Sequence, residues 1–171
     1  SPYIKQADTL QAFYVFEEDF SDDQLKKHFD FYEPFTVHES SLSPCVHAIQ
    51  AAKLGQMDQA YEFYLRTSRL DLDDYNKEVH EGLHITSMAG TWMSVVEGFG
   101  GMRIKDNTLS FDPKMPEAWD GFSFKLNYRN QILKVAVGKN KTVFTLNDGE
   151  DLTLLINGKK VTVKGGSSVE V

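Results

Sequence analysis

The sequence predicts an α+β protein in which helical hairpins are followed by a small antiparallel β-sheet domain. Two periodicities support this prediction: apolar residues recur at helical spacing in the first part of the chain, and they alternate with a period of two after about Met102. A glycine cluster, Gly98, Gly100 and Gly101, separates the two patterns. Because helices and strands are segregated in this way, we predict two structural units, residues 1–101 and 102–171.

Capping residues and apolar spacing predict the helices. Asp8 and Ser21 can cap two successive helices, and Pro34 ends the second. Ser43 is the predicted N-cap of a third helix, whose first helical position suits Pro44. Gly55 ends the third helix, and Asp58 starts a fourth. An acidic surface loop over residues 71–81 and a last helix from His84 to Val96 follow. The apolar face of that last helix is wide, which predicts burial on most of its sides.

Period-two alternation predicts the strands of the second part. It is regular in residues 122–126 and 132–137, and β-rich runs bounded by turn residues follow. Asn157 and Gly158 lie between two such runs and form the strongest short hairpin signal known. The alternating strands show no exposed row of aromatic residues. We therefore expect a structural or interface role for this part, and we keep a non-catalytic carbohydrate-binding module as an alternative.

Composition excludes several classes of protein. A formal charge of −7 and a pI near 5.2 argue against a nucleic-acid partner, which would select a basic face. Apolar runs fall short of the roughly 20 residues of a membrane span. A single cysteine, Cys45, forbids an internal disulfide, and we expect a cytoplasmic protein. The chain starts without Met or the form of a signal peptide, so we expect an internal part of a longer polypeptide.

Residues 38–47 indicate an anion pocket. Ser40 and Ser41 precede the predicted start of the third helix, with His38 and His47 on either side. The first amides of a helix have no partner within the helix, and they favour negative charge in front of them. Hydroxyls together with such amides can bind a phosphate or a carboxylate. The alternative is that these serines only cap a helix and hold a turn.

A zinc motif is the second candidate site. His80, Glu81 and His84 match the pattern H-E-x-x-H, which places two zinc ligands and a general base on consecutive turns of one helix. Gly82 interrupts the motif, and the apolar helical pattern begins only at Ile85. A zinc-dependent hydrolase therefore remains an alternative, while our main prediction includes no metal site.

Three longer motifs resemble one enzyme family. They are residues 5–8, 31–43 and 82–92, and they occur here in the family's order. Together they closely resemble the C-terminal part of glycoside hydrolase family 65, and among its members they are most similar to bacterial enzymes that act on maltose. The resemblance implies that residues 1–101 are the last helical hairpins of a six-hairpin α/α toroid, with a small β-sheet domain after them.

The resemblance also implies an activity. Family members phosphorolyse an α-glucoside with inversion, giving β-glucose 1-phosphate and a free sugar. A phosphorylase needs a phosphate site in place of a water-activating carboxylate. We therefore expect an α-glucoside disaccharide, maltose first, and phosphate as substrates, no cofactor, and a homodimer at full length. Trehalose, kojibiose and nigerose remain alternatives to maltose.

Residue roles follow from the same resemblance. Ser40 and His84 match phosphate-contacting positions, and Ser41 and Ser87 are their close neighbours. Lys5 and Gln6 match positions that hold the glucosyl unit. The family's general-acid glutamate lies upstream of the matched motifs. We therefore expect no catalytic residue in this chain, and we expect the chain alone to be inactive.

Overall fold

A computed structural model describes residues 2–171 and divides the chain into two compact units. The first ends at Gly98 and the second begins at Phe99. The first is helical and the second is built of strands, so the predicted α+β class is confirmed. Within the described residues, none of the helices has the length and apolar character that crossing a membrane requires.

Five α-helices form the first unit. They are α1 (Asp8–Val15), α2 (Asp22–Tyr32), α3 (Ser43–Lys53), α4 (Met57–Ser68) and α5 (Ile85–Met93). Short 3-10 turns lie at Glu17–Asp19, Glu33–Phe35 and Val79–Glu81, and a π-helical segment, Ser94–Phe99, continues α5. The acidic stretch between α4 and α5 consists mainly of turns, as its lack of apolar surface predicts.

The capping predictions have mixed outcomes. Ser21 caps α2 in a capping box with Gln24, as predicted. Asp8 and Ser43 are not caps, because each is the first residue of its helix. Their oxygens have other donors: Oδ1 of Asp8 accepts from Gln6, and Oγ of Ser43 accepts from the backbone N–H of Ala7. The fourth helix starts at Met57, one residue before the start predicted at Asp58.

Helix α3 is the centre of the first unit, since every residue from Ser43 to Ala52 is buried. Helix α5 packs closely against it. A Cβ atom built on Gly90 would lie 2.7 Å from Cβ of Cys45, and one built on Gly98 would lie 3.5 Å from Cα of Ile49. Gly98 follows Gly90 in the chain, and its contact Ile49 likewise follows Cys45. Helix α3 therefore runs parallel to α5 and its π-helical continuation. Their N-terminal ends therefore lie at the same end of the unit.

The expected burial of α5 is wrong on one side. Ile85, Met88 and Trp92 follow one another at helical spacing, and all three are exposed. The opposite side of α5 carries the small or polar residues Ser87 and Gly90, which are buried against α3 and α4. Close helix packing thus uses the small residues, and the large apolar ones point outward.

The second unit contains two four-stranded sheets. Their strand orders are β1-β2-β6-β7 and β3-β4-β5-β8. The strands are β1 (Arg103–Lys105), β2 (Thr108–Phe111), β3 (Gly121–Tyr128), β4 (Gln131–Gly138), β5 (Thr142–Leu146), β6 (Leu152–Ile156), β7 (Lys159–Val163) and β8 (Ser168–Glu170). One buried cluster draws on both sheets, for example through Phe111 of β2 and Phe144 of β5, so the sheets pack against each other.

Local signals in this unit are mostly confirmed. Asn157 and Gly158, both with positive φ, form the tight turn between β6 and β7. Pairing is antiparallel as predicted, except that β2 pairs with β6 in parallel. No local signal marks that pair, because its two strands are far apart in the sequence.

Candidate functional site

The loop before α3 presents two serine hydroxyls at the N-terminal end of the most buried helix. Oγ of Ser40 accepts a hydrogen bond from the N–H of Leu42 at 3.2 Å, and the carbonyl of Ser40 accepts from the N–H of Ser43 at 3.3 Å. These two amides are therefore occupied within the loop and are not free for an anion. Because Oγ of Ser40 acts as an acceptor there, its own proton is available to a further acceptor such as phosphate.

Lys5 and Gln6 lie beside the same end of α3. The N–H of Ala7, the next residue, donates to Oγ of Ser43 at 2.9 Å, and both groups are buried. Ile4 also pairs with Thr36 in a short parallel bridge. The segment that carries the cation and the amide is thus held at two points next to the serine loop.

His84 is the N-cap residue of α5 and is held by Asp71. Nδ1 of His84 lies 2.6 Å from Oδ1 of Asp71, and the backbone N–H of His84 donates to Oδ2 of the same carboxylate at 2.9 Å. The side chains are 22% and 13% exposed. The hydrogen bond to Asp71 raises the pKa of His84, and the same bond lowers the pKa of Asp71. A positively charged imidazolium at this position is therefore favoured.

The parallel packing of α3 and α5 relates these groups to one another. Ser40 and Ser41 precede α3, His84 precedes α5, and both helices begin at the same end of the unit. Lys5 lies there too, through the bond between Ala7 and Ser43. Hydroxyl, imidazolium and ammonium groups are hydrogen-bond donors of the kinds that suit a phosphate or an anionic sugar derivative.

Ser87 has a different environment from the other predicted phosphate residues. Its side chain is 2% exposed, and Oγ donates to the carbonyl of Thr67 at 3.1 Å. Its single hydroxyl proton is thus already used to hold α5 against α4. An anion needs a donor, so we leave Ser87 out of the proposed phosphate contacts and assign it to the packing of α5.

Two further side chains, those of Glu33 and Arg66, hold the serine loop, and sequence reasoning missed both. Nε2 of His38 donates to Oε1 of Glu33 at 3.0 Å, and the guanidinium of Arg66 donates to the His38 carbonyl. His38 has a φ of 61°, in the left-handed region that non-glycine residues rarely adopt. These contacts hold His38 in that conformation, and they therefore set the course of the backbone from His38 to Ser40 and Ser41. Nothing in the sequence around Arg66 indicates this partner.

His47 lies behind the loop in the core. It is fully buried, between the rings of Phe29, His38 and Phe63, and neither ring nitrogen has a hydrogen-bond partner among the described residues. Burial lowers its pKa to about 3, so the ring is neutral at ordinary pH. His47 therefore supports the pocket from behind and brings no charge to it.

Glu33, His38 and His47 come together as a possible metal group in the described part of the chain. Their potential ligand atoms lie within 4.8 Å of one another. Nε2 of His38 already donates to Oε1 of Glu33 at 3.0 Å, in the contact that holds the loop. The arrangement fits an anchor for the loop better than a prepared metal site.

The H-E-x-x-H motif does not form a zinc site. His80 and Glu81 lie in a separate 3-10 turn and are exposed. Gly82, with a φ of 126°, has a non-helical backbone conformation that separates this turn from α5. Helix α5 begins only at Ile85, and Nδ1 of His84 faces Asp71. The motif needs one continuous helix, so the zinc alternative is wrong on geometric grounds.

The β unit offers little to a sugar. Aromatic residues in its described part, such as Trp119, Phe122 and Tyr128, are at least partly buried. Stacking on a sugar ring needs an exposed aromatic face, so this surface does not support a carbohydrate-binding module.

Two models of protein families match the chain. The model of the glycosyl hydrolase family 65 central catalytic domain matches residues 1–93, and the model of that family's C-terminal domain matches residues 102–163. The two matches occur in the same order as the two units of the chain.

Curated relatives include several phosphorylases. Maltose phosphorylase of Bacillus subtilis is 50% identical over 165 residues, which are 96% of this chain and 22% of that protein. The α,α-trehalose phosphorylase of Thermoanaerobacter brockii is 44% identical over 95% of this chain and 21% of that protein. The kojibiose phosphorylase of Halothermothrix orenii is 37% identical over 99% and 22%. The chain thus spans about a fifth of the length of these relatives.

A solved structure agrees with these matches. A putative kojibiose phosphorylase from human microbiome superposes with a TM-score of 0.94 at 39% identity, covering 99% of this chain and 25% of that one. The family models, the relatives and the solved structure agree, and the chain belongs to glycoside hydrolase family 65.

Proposed function

We propose that this chain supplies the phosphate-binding part of an inverting disaccharide phosphorylase. The observation that carries the proposal is the parallel packing of α3 and α5, which places the Ser40 loop and His84 at one end of the helical unit. Ser40, Ser41 and His84 then donate to phosphate. Lys5 and Gln6 directly precede Ala7, whose N–H binds Ser43 of α3, and in this proposal they hold the glucosyl unit.

The chemistry follows from an anionic nucleophile. A phosphate oxygen attacks the anomeric carbon of the glucosyl unit from the face opposite the glycosidic oxygen. The new bond joins that carbon to phosphate, the glycosidic bond breaks, and the departing sugar takes a proton from a general acid that lies upstream of this chain. The products are β-glucose 1-phosphate and a free sugar. The phosphate arrives already charged, so the proposal requires no cofactor.

Maltose is the proposed disaccharide. The maltose phosphorylase has the higher identity of the three relatives described above, at 50% against 44% and 37%. Trehalose and kojibiose are the competing substrates. A homodimeric complete enzyme and a cytoplasmic location belong to the same proposal.

The test uses the complete enzyme, meaning this chain joined to the residues that would precede it in a full-length protein. It is incubated with phosphate and, separately, with maltose, trehalose, kojibiose and nigerose, and proton NMR identifies the anomer of the product. We expect β-glucose 1-phosphate from maltose, and none from the 171-residue chain alone. Hydrolysis that proceeds equally well without phosphate would overturn the proposal.

A further inference from the structure

We propose that Asp71 is the positioning residue for His84. Its carboxylate holds the imidazole through Nδ1, so that Nε2 is directed away from that carboxylate and toward phosphate. This inference rests on the proposed function and deepens it. Asp71 lies in the acidic segment between α4 and α5, which the sequence marks only as a surface loop.

The geometry is a two-point clamp. Oδ1 of Asp71 meets Nδ1 of His84 at 2.6 Å, and Oδ2 accepts from the His84 backbone N–H at 2.9 Å. One oxygen thus fixes the ring while the other fixes the backbone at the start of α5. With Nδ1 bound to the carboxylate, Nε2 is the nitrogen left to meet a ligand. The ring is therefore oriented before phosphate arrives.

The charges around His84 favour its protonated form. Asp71 and Glu78 both act to raise its pKa, with the hydrogen bond to Asp71 as the largest cause. Oε2 of Glu78 lies 3.6 Å from Nε2 and is partly exposed, so it is the group that an incoming phosphate would displace. A dianion that replaces one carboxylate keeps the imidazolium paired.

Charged groups on the elements packed against α5 have partners of their own. On α4, Arg66 donates to the His38 carbonyl and Arg69 is paired with Asp73. On α3, Lys53 in the last turn pairs with Asp22, and the remaining titratable groups are Cys45, whose pKa burial raises, and His47, whose pKa burial lowers. Both are neutral at ordinary pH, so Asp71 and Glu78 dominate the electrostatics of His84.

The first experiment needs no activity. The imidazole of His84 in the 171-residue chain is titrated by NMR in the wild type and in Asp71→Asn. We expect wild-type His84 to keep its proton to a higher pH than histidine in an unfolded peptide, and we expect Asp71→Asn to lower that midpoint. Asp73→Asn is the matched control, because Asp73 lies two residues away and pairs with Arg69 at 2.6 Å. An unraised wild-type midpoint, or equal effects of the two variants, would refute the clamp.

The second experiment separates this inference from the proposed function. In the complete enzyme we measure the Michaelis constant for phosphate from pH 6 to pH 9. Asp71→Asn should raise this constant roughly three- to tenfold at neutral pH. It should also lower the pH at which the constant begins to rise, whereas Asp73→Asn should leave the pH profile unchanged. If His84→Ala does not change phosphate dependence, the proposed function fails. If His84→Ala weakens phosphate binding but Asp71→Asn leaves the profile unmoved, only the role of Asp71 fails.

Discussion

Ser43 accepts a hydrogen bond from the backbone N–H of Ala7, 36 residues earlier in the chain, through a buried hydroxyl at 2.9 Å. The bond connects the segment of Lys5 and Gln6 to the first turn of α3. In the proposed enzyme it would join the part that holds the sugar to the part that holds phosphate. A change at Ser43 should therefore affect both stability and sugar binding.

Ser43→Ala removes the acceptor and leaves the buried N–H of Ala7 without a partner. We expect the free energy of unfolding to fall by about 1 to 3 kcal/mol, measured by urea denaturation. In the complete enzyme the Michaelis constant for the disaccharide should increase. Ser41→Ala, which removes a hydroxyl from the adjacent loop, should change stability by less than about 0.5 kcal/mol and serves as the control. Equal stabilities of the two variants would argue against the buried bond.

Ser40→Ala and His84→Ala each remove a proposed donor to phosphate. In the complete enzyme, each should slow phosphorolysis and raise the Michaelis constant for phosphate roughly ten- to a hundredfold, since hydrogen bonds to a charged group are the strong ones. Ser123→Ala, at an exposed position of β3, should leave this constant unchanged. Unchanged phosphate dependence in either variant would contradict the assignment of the site.

His47 makes the fold sensitive to acid. Burial lowers its pKa from 6.5 to about 3, so below pH 6.5 the unfolded chain binds a proton that the folded chain does not accept. Stability is therefore lost as the pH falls through this window, by about 3 kcal/mol between pH 7 and pH 4. His47→Phe should remove this part of the loss in urea denaturation at the two pH values. The exposed His80→Phe should not, and an equal loss in His47→Phe and wild type would contradict the prediction.

Gly90 allows α5 to approach α3. In Gly90→Ala the new Cβ would meet Cβ and Sγ of Cys45 at 2.7 and 2.9 Å and Cγ2 of Thr67 at 3.3 Å, so the helices must separate. We expect a loss of about 1 to 3 kcal/mol in unfolding free energy, despite the better helix propensity of alanine. Ala89→Ser, on the exposed side of α5, should be close to neutral. A stabilised Gly90→Ala variant would show that the helices do not pack in this way.

Sequence reasoning succeeded where local chemistry decides the structure. The capping box of Ser21, the turn at Asn157 and the order of helices and strands depend on neighbours in the chain. It fails where the partner is distant: the local pattern predicts Ser43 as a cap, whereas its buried hydrogen-bond donor, Ala7, comes from another segment. Asp71 resembled any acidic loop residue, since its hydrogen bonds to His84 exist only in the folded chain.

Site prediction followed the same division. The motifs that contain Ser40, Ser41 and His84 resemble the family's, and this resemblance predicts their hydroxyls and imidazole as phosphate donors. Their grouping at one end of the unit depends on the parallel course of α3 and α5, which a glycine inside a helix does not reveal. Ser87 carries the same hydroxyl as Ser40, and only burial and its bond to Thr67 distinguish the two.

The contact at Gly90 also limits which insertions and deletions this chain can accept. Gly90 lies six residues after His84, and Cys45 lies five residues after Ser40, so the contact fixes two lengths of chain at once. One added residue in α5 before Gly90 would rotate His84 by about 100° and move it by about 1.5 Å along the helix. Length changes between His84 and Gly90 should therefore be excluded.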